Sequence, residues 1–292
     1  MKKRLKSAFA LLVVFIITMV FMLIGLGAGE DKKTQNPEGV LLPIIMYHSL
    51  LKDQKLQNDY TVSPDLFEND LKYLNDNGYT TLTVSDLVDY VYSDKILPDK
   101  CVMLTFDDGY YNNYYYAYPL LKKYKCKAVI SPIVSLTEKF SESDDISVSY
   151  GYMNITDINE MIESGYVEIQ NHSYDMHKLV PRMGAEQKAG ESNDEYKAAI
   201  TEDITKAQEY LKTNLNITPQ CFVYPFGAKS DLTAEIIKEY GFLCTFTCTE
   251  ETNIITKNSD SLYELGRYRR DKDEDIASFM KRITEKKVSQ SK

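Results

Sequence analysis

The stretch Cys101-Val102-Met103-Leu104-Thr105-Phe106-Asp107-Asp108-Gly109 sets the fold class. Its first six residues form a continuous apolar strand, and two adjacent carboxylates with a turn-permitting glycine end it. On both sides the chain alternates short apolar runs with amphipathic stretches. Upstream, Leu42 to Tyr47 is a short apolar run that ends at His48. A helix follows, with Ser63 as N-cap, Pro64 at its first position, Leu66, Phe67, Leu71 and Leu74 on one face and Gly78 as its stop. Ser85 starts a second helix through Leu87, Val88 and Val91. Downstream, Tyr118 to Lys125 reads as a helix and Ala128 to Val134 as a strand. Thr156 caps a helix that runs to Gly165, and Tyr166 to Gln170 is a strand leading into His172. A long helix from about Glu195 to Thr213, a strand Cys221 to Tyr224, a helix Leu232 to Tyr240 and a strand Phe242 to Thr247 complete the pattern. This repeated order predicts an α/β fold, a parallel sheet closed or nearly closed into a distorted (β/α) barrel. In such folds chemistry collects at the carboxyl ends of the strands, where Asp107, Asp108, His172 and the Tyr224-Pro225 step all fall.

The chain has 292 residues, 43% hydrophobic and 12% aromatic, enough for a substantial core. Residues 8–28 are an uncharged apolar run behind Lys2, Lys3, Arg4 and Lys6, which predicts a membrane-spanning helix with its basic end in the cytoplasm. A cleaved secretion signal is the alternative, since Gly27-Ala28-Gly29 supplies small residues for a peptidase. Either way, the expected organisation is a signal-anchor or signal peptide over 1–29, a linker over 30–41 and one catalytic domain over 42–292, outside the cytoplasm. The net charge is −9, and the first 29 residues hold basic groups only, so the remainder is more acidic still. Such a surface disfavours nucleic acid and suits neutral or cationic polymers. Five widely spaced cysteines, several in apolar runs, read as buried thiols rather than a disulfide framework or a zinc cluster.

Adjacent carboxylates at a strand end can point differently, one binding a cation while its neighbour stays free to take a proton. The chain has three histidines, and two of them, His172 and His177, lie five positions apart. That spacing does not stack on one helix face, so a loop must bring the rings together. Two imidazoles and one carboxylate make a three-ligand site with open positions, as in catalytic zinc centres. Non-haem iron oxygenases use the same ligand types, but pair His and Asp within a short motif.

These residues resemble the polysaccharide deacetylases of carbohydrate esterase family 4, the NodB homology domain, over about residues 42–270. The resemblance rests on Thr105-Phe106-Asp107-Asp108-Gly109, on His172-Ser173 with His177, and on Phe222-Val223-Tyr224-Pro225-Phe226-Gly227. Tyr47-His48 and the stretch from Val62 to Tyr79 look like the branch that deacetylates poly-N-acetylglucosamine. The resemblance implies that Asp107 is the general base and that Asp108, His172 and His177 hold a divalent metal, Zn²⁺ first, with Co²⁺ or Ni²⁺ as alternatives. It implies an N-acetylated polysaccharide as substrate; peptidoglycan, chitin oligomers and O-acetylated xylan also present an acetyl group to such a site. A non-catalytic glycan-binding relative would have no need of the four intact residues. His48, the remaining histidine, is the expected general acid. Tyr224, Pro225 and Phe226 are expected around the oxyanion, and Tyr110 against a sugar ring. The sequence departs from the family pattern in having Val223 where many members carry a base-steadying Arg, and in lacking a Leu-x-His near its C-terminus. Arg267 is the candidate to replace that Arg from another strand. Asn171-His172-Ser173 is formally a glycosylation sequon, and a glycan there would block the site, which points to a host that does not glycosylate.

Overall fold

A computed structural model describes residues 39–143 and 146–285. The apolar run 8–28 and most of the expected linker lie outside the described residues. Among the described residues no helix is long and apolar enough to cross a membrane.

In chain order the strands are β1 (Val40–Leu42), β2 (Ile44–Tyr47), β3 (Ser49–Leu50), β4 (Thr61–Val62), β5 (Thr80–Leu82) and β6 (Cys101–Asp108). They continue with β7 (Ala128–Pro132), β8 (Val167–Ile169), β9 (Cys221–Val223), β10 (Cys244–Phe246), β11 (Asn253–Ile255) and β12 (Tyr268–Arg269). All eight residues of β6 are buried, and β2, β5 and β7 all pair with it in parallel. A strand covered on both faces and both edges has to be apolar or internally satisfied, and before its last two residues the one polar side chain of β6, Thr105, donates to the Ile45 carbonyl at 3.1 Å. The six-stranded sheet runs β12-β2-β6-β7-β8, with β5 paired to the start of β6. A separate parallel pair, β9 with β10, meets this sheet at each side through one isolated bridge: Asn171 to Phe222, and Phe246 to Leu265. The parallel α/β architecture is therefore present, with single bridges rather than continuous ladders where a barrel would close.

The helix Pro64–Asp76 starts as its sequence predicts, with Ser63 Oγ accepting from the Leu66 N–H at 3.0 Å and Pro64 at N1. Its buried stripe of Phe67, Leu71 and Leu74 also contains Asp70. That carboxylate is satisfied by Arg270, whose Nε and Nη2 donate at 2.8 and 2.9 Å, and by the Tyr47 hydroxyl at 2.8 Å. A buried charge needs such pairing. The network ties β2, this helix and the end of β12 together.

Several boundaries differ from expectation. The Leu42–Tyr47 run is two strands, because Pro43 interrupts it; β1 leaves to pair antiparallel with β11. The helix expected from Ser85 starts at Val84 behind Thr83, where Thr83 and Asp86 form a reciprocal cap, and the helix expected from Thr156 is capped by Asn154. The strand expected to reach Val134 ends at Pro132, and Val134–Ser141 is a helix. Four of the five cysteines are buried, and Cys248 is partly exposed.

Candidate active site

β6 delivers two carboxylates that diverge because the backbone turns left-handed between them and the following residue. Asp108 has φ +69° and Gly109 φ +79°. A Cβ on Gly109 would lie 2.6 Å from the Cβ of Pro132, so only glycine fits there.

Asp107 turns toward Arg267. The guanidinium donates to both carboxylate oxygens, Nη1 to Oδ1 at 2.7 Å and Nη2 to Oδ2 at 2.8 Å, while its Nε donates to the Thr247 carbonyl at 2.9 Å. Arg267 is completely buried. A planar fork on a carboxylate gives direction as well as charge. Burial pushes the Asp107 carboxyl upward, but Arg267, with His172 adding to it, outweighs burial and holds the group well below the usual carboxylate range. On the other side, His48 Nε2 stands 4.0 Å from Asp107 Oδ2. Burial lowers the His48 pKa, and the pull of Asp107 and Asp108 only partly restores it.

Asp108 turns toward the histidine pair. Its Oδ1 is 3.6 Å from His172 Nε2 and 3.2 Å from His177 Nε2, and one ligand atom from each of the three residues lies within 4.8 Å of the others. His172 Nδ1 is 2.8 Å from the Val223 carbonyl. A carbonyl only accepts, so the proton sits on Nδ1 and the Nε2 lone pair faces the centre. Asp108 Oδ1 is buried with no hydrogen-bond donor. An orphaned anionic oxygen beside two imidazoles is a donor set that fits a borderline divalent cation.

The histidine loop is built by polar side chains. Asn171 Oδ1 accepts from the Ser173 N–H at 2.7 Å, which supports Ser173 at φ +71°, and Ser173 Oγ accepts from the Met176 N–H at 3.0 Å. From the long helix Asn193–Leu215, Asp203 accepts the N–H groups of Tyr174 and Asp175 at 2.7 and 2.8 Å. Burial raises the Asp203 carboxyl despite these two donors.

Asp107, Asp108, His172 and His177 line a cleft of about 670 Å³ with His48, Tyr60 and Tyr110 on its walls. The Tyr110 ring stacks on Tyr152 at 5.0 Å. Phe226, at φ +59°, sets its ring 4.1 Å from that of His177 and stays partly exposed. Tyr224 and Pro225 differ from expectation: both are buried and neither lines the cleft, and Tyr224 packs edge-on against Phe222. Their side chains belong to the core. Tyr114 and Tyr118 serve packing, Tyr114 donating to Glu160 at 2.6 Å and stacking on Tyr118, while Tyr115 is exposed and does not line the cleft. Sequence reasoning missed Tyr60, Glu250 and Arg269 on the cleft wall and Asp203 behind the histidine loop. Asp203 carried a signal, being a carboxylate in the buried stripe of its helix with Tyr196, Ile200 and Ile204.

Comparison with known proteins gives consistent relatives. The family described as polysaccharide deacetylase matches residues 94–244. A poly-beta-1,6-N-acetyl-D-glucosamine N-deacetylase of Staphylococcus aureus is 30% identical over 250 residues, covering 80% of each chain. One of Escherichia coli is 25% identical over 222 residues, 70% of this chain, which spans only 33% of that relative's length. Among solved structures, the Streptococcus pyogenes deacetylase PplD in complex with acetate superposes with a TM-score of 0.70 at 25% identity, covering 85% of this chain and all of the other.

Proposed function

Because the chain belongs to the polysaccharide deacetylase family, we propose that it is a metal-dependent N-deacetylase that releases acetate from an extracellular poly-N-acetylglucosamine. The observation that carries this reading is the division of labour at the end of β6. Asp108 joins two imidazoles, while its neighbour Asp107 is held apart by Arg267. The named relatives support the polymer. The basic-then-apolar N-terminus supports placement outside the cytoplasm, by signal-anchor or after cleavage. The two bridges flanking β9 and β10 support reading the sheet as a distorted barrel.

Asp108, His172 and His177 would hold the ion, with Zn²⁺ favoured by the mixed nitrogen and oxygen donors. When bound, such an ion lowers the pKa of an attacking water and polarises the acetyl carbonyl. Asp107 is the base. Arg267 favours its ionised form and aims it, which lowers its proton affinity, so it serves best toward a water already made acidic. The proton taken by Asp107 Oδ2 can pass to His48 Nε2 once the 4.0 Å gap closes, and from there to the departing amine. His48 then needs no resting charge, which suits its lowered pKa. The glucosamine nitrogen leaves with that proton and acetate is the second product.

Acetate release from poly-N-acetylglucosamine, with and without chelator, tests the proposal. The expected result is release that chelator stops and Zn²⁺ or Co²⁺ restores. Release that persists after exhaustive chelation would contradict it.

A further inference from the structure

On the cleft wall beyond His48, an aromatic and two charged side chains have no part in the reaction derived above. Tyr60 is 55% exposed, yet it is fixed in place. Its N–H donates to Asn58 Oδ1 at 2.8 Å and its carbonyl accepts from the Ser49 N–H at 3.1 Å. Its ring meets that of His48 edge-on at 5.0 Å, and the Arg269 guanidinium stands 5.3 Å from the ring centroid. Arg269 is itself held, its Nη1 3.5 Å from Asp59 Oδ2 and its N–H donating to Glu250 Oε1 at 3.3 Å. Tyr60, Arg269 and Glu250 line the same cleft as Asp107 and Asp108.

A lone exposed tyrosine calls for no explanation. One anchored through its backbone, braced by a histidine and a cation and turned into a catalytic cleft is different, since its ordering entropy is already spent before ligand arrives. Its apolar face suits the C–H surface of a pyranose, and the flanking guanidinium and carboxylate suit hydroxyl and amide groups at the ring's edge. Position then decides which ring. In the proposed reaction the acetyl group belongs at Asp108 and the two imidazoles and His48 serves the departing nitrogen, so Tyr60, whose ring meets that of His48 at 5.0 Å, falls on the leaving-amine side.

We propose that Tyr60, with Arg269 and Glu250, forms a subsite for the adjoining hexosamine residue of the chain, on the leaving-amine side of the reacting one. The inference rests on the proposed function for the nature of the chain and for the role of His48. It makes the enzyme prefer linked residues over the single sugar by a device separate from the metal centre.

The test compares N-acetylglucosamine, which has no adjoining residue, with its β-1,6-linked dimer on the metal-loaded enzyme, measuring acetate release and, by calorimetry, affinity. Wild type should favour the dimer in both. Tyr60→Ala should lose roughly tenfold of the dimer's kcat/KM and affinity, with the monosaccharide less affected, and Tyr60→Phe should keep the wild-type preference. A melting temperature and metal content equal to wild type would show that the substitution acts on the subsite. An unchanged dimer-to-monosaccharide ratio in Tyr60→Ala, or equal loss on both, overturns the inference. A wild type that binds dimer through Tyr60 but releases no acetate keeps the subsite and defeats the proposed function instead.

Discussion

Replacing Arg267 by methionine removes the largest of the charges that compensate Asp107 in a fully buried setting. Both carboxylate oxygens lose their donors, and burial, which in the native protein is outweighed, becomes the dominant influence on the group. Breaking a buried pair from one side costs about 3–5 kcal/mol. For a domain of this size that is roughly 6–20 °C in melting temperature. The pH dependence changes sign as well. In the native protein the Asp107 pKa lies below its unfolded value of about 3.9, so its contribution is complete above that pH and is lost as pH falls through the folded value. In Arg267→Met the folded pKa lies above the unfolded one. The folded state then binds more protons, and stability declines as pH rises from about 4 toward the raised pKa. Urea unfolding of both proteins between pH 4 and 7, in chelator, reads this as a widening gap with pH. Adding Asp107→Asn to Arg267→Met should recover much of the loss, because no buried charge remains. A single variant within about 1 kcal/mol of wild type, with a gap that does not change with pH, would refute the argument.

Three further outcomes follow from the same geometry. His48→Ala should fold and bind metal yet lose roughly 10²-fold or more in kcat on an N-acetyl substrate, with a smaller loss on an activated aryl acetate whose leaving group needs no proton. Equal loss on both would return His48 to a structural role. Asp203→Ala should weaken metal affinity by roughly 10–100-fold, because two N–H groups of the histidine loop lose their acceptor; competition with a colorimetric chelator measures it, and unchanged affinity would show that the loop holds without Asp203. Zn²⁺ or Co²⁺ should restore chelator-treated enzyme where Mg²⁺ does not, as imidazole ligands require, and recovery with Mg²⁺ alone would contradict the donor assignment.

The sequence made the centre of the molecule readable because its signals are local. A continuous apolar run has to be an inner strand, and carboxylates at its end have to stand at the carboxyl edge of the sheet. The His172 and His177 pair was equally visible, since one loop carries both. Arg267 could be named only as a candidate, because 160 residues separate it from Asp107 and no spacing rule spans that distance. The two-residue strands β3, β4 and β12 are too short to show a period, and they are what carries Tyr60 and Arg269 to the cleft. Tyr60 itself, between Asp59 and Thr61, reads as ordinary loop until His48 and Arg269 are seen beside it. Tyr224 shows the reverse: its place in a motif-like stretch pointed toward the substrate, while its ring, one residue past β9, packs into the core beside Phe222.

The division between ligand and base is the central claim, and metal content measured beside acetate release tests it most directly. Asp108→Ala, His172→Ala and His177→Ala should each lose both metal and activity, whereas Asp107→Asn should retain metal at wild-type stoichiometry and lose turnover. An Asp107→Asn protein that comes out metal-free under loading conditions that fill the wild type, or one that keeps full turnover, would contradict the account.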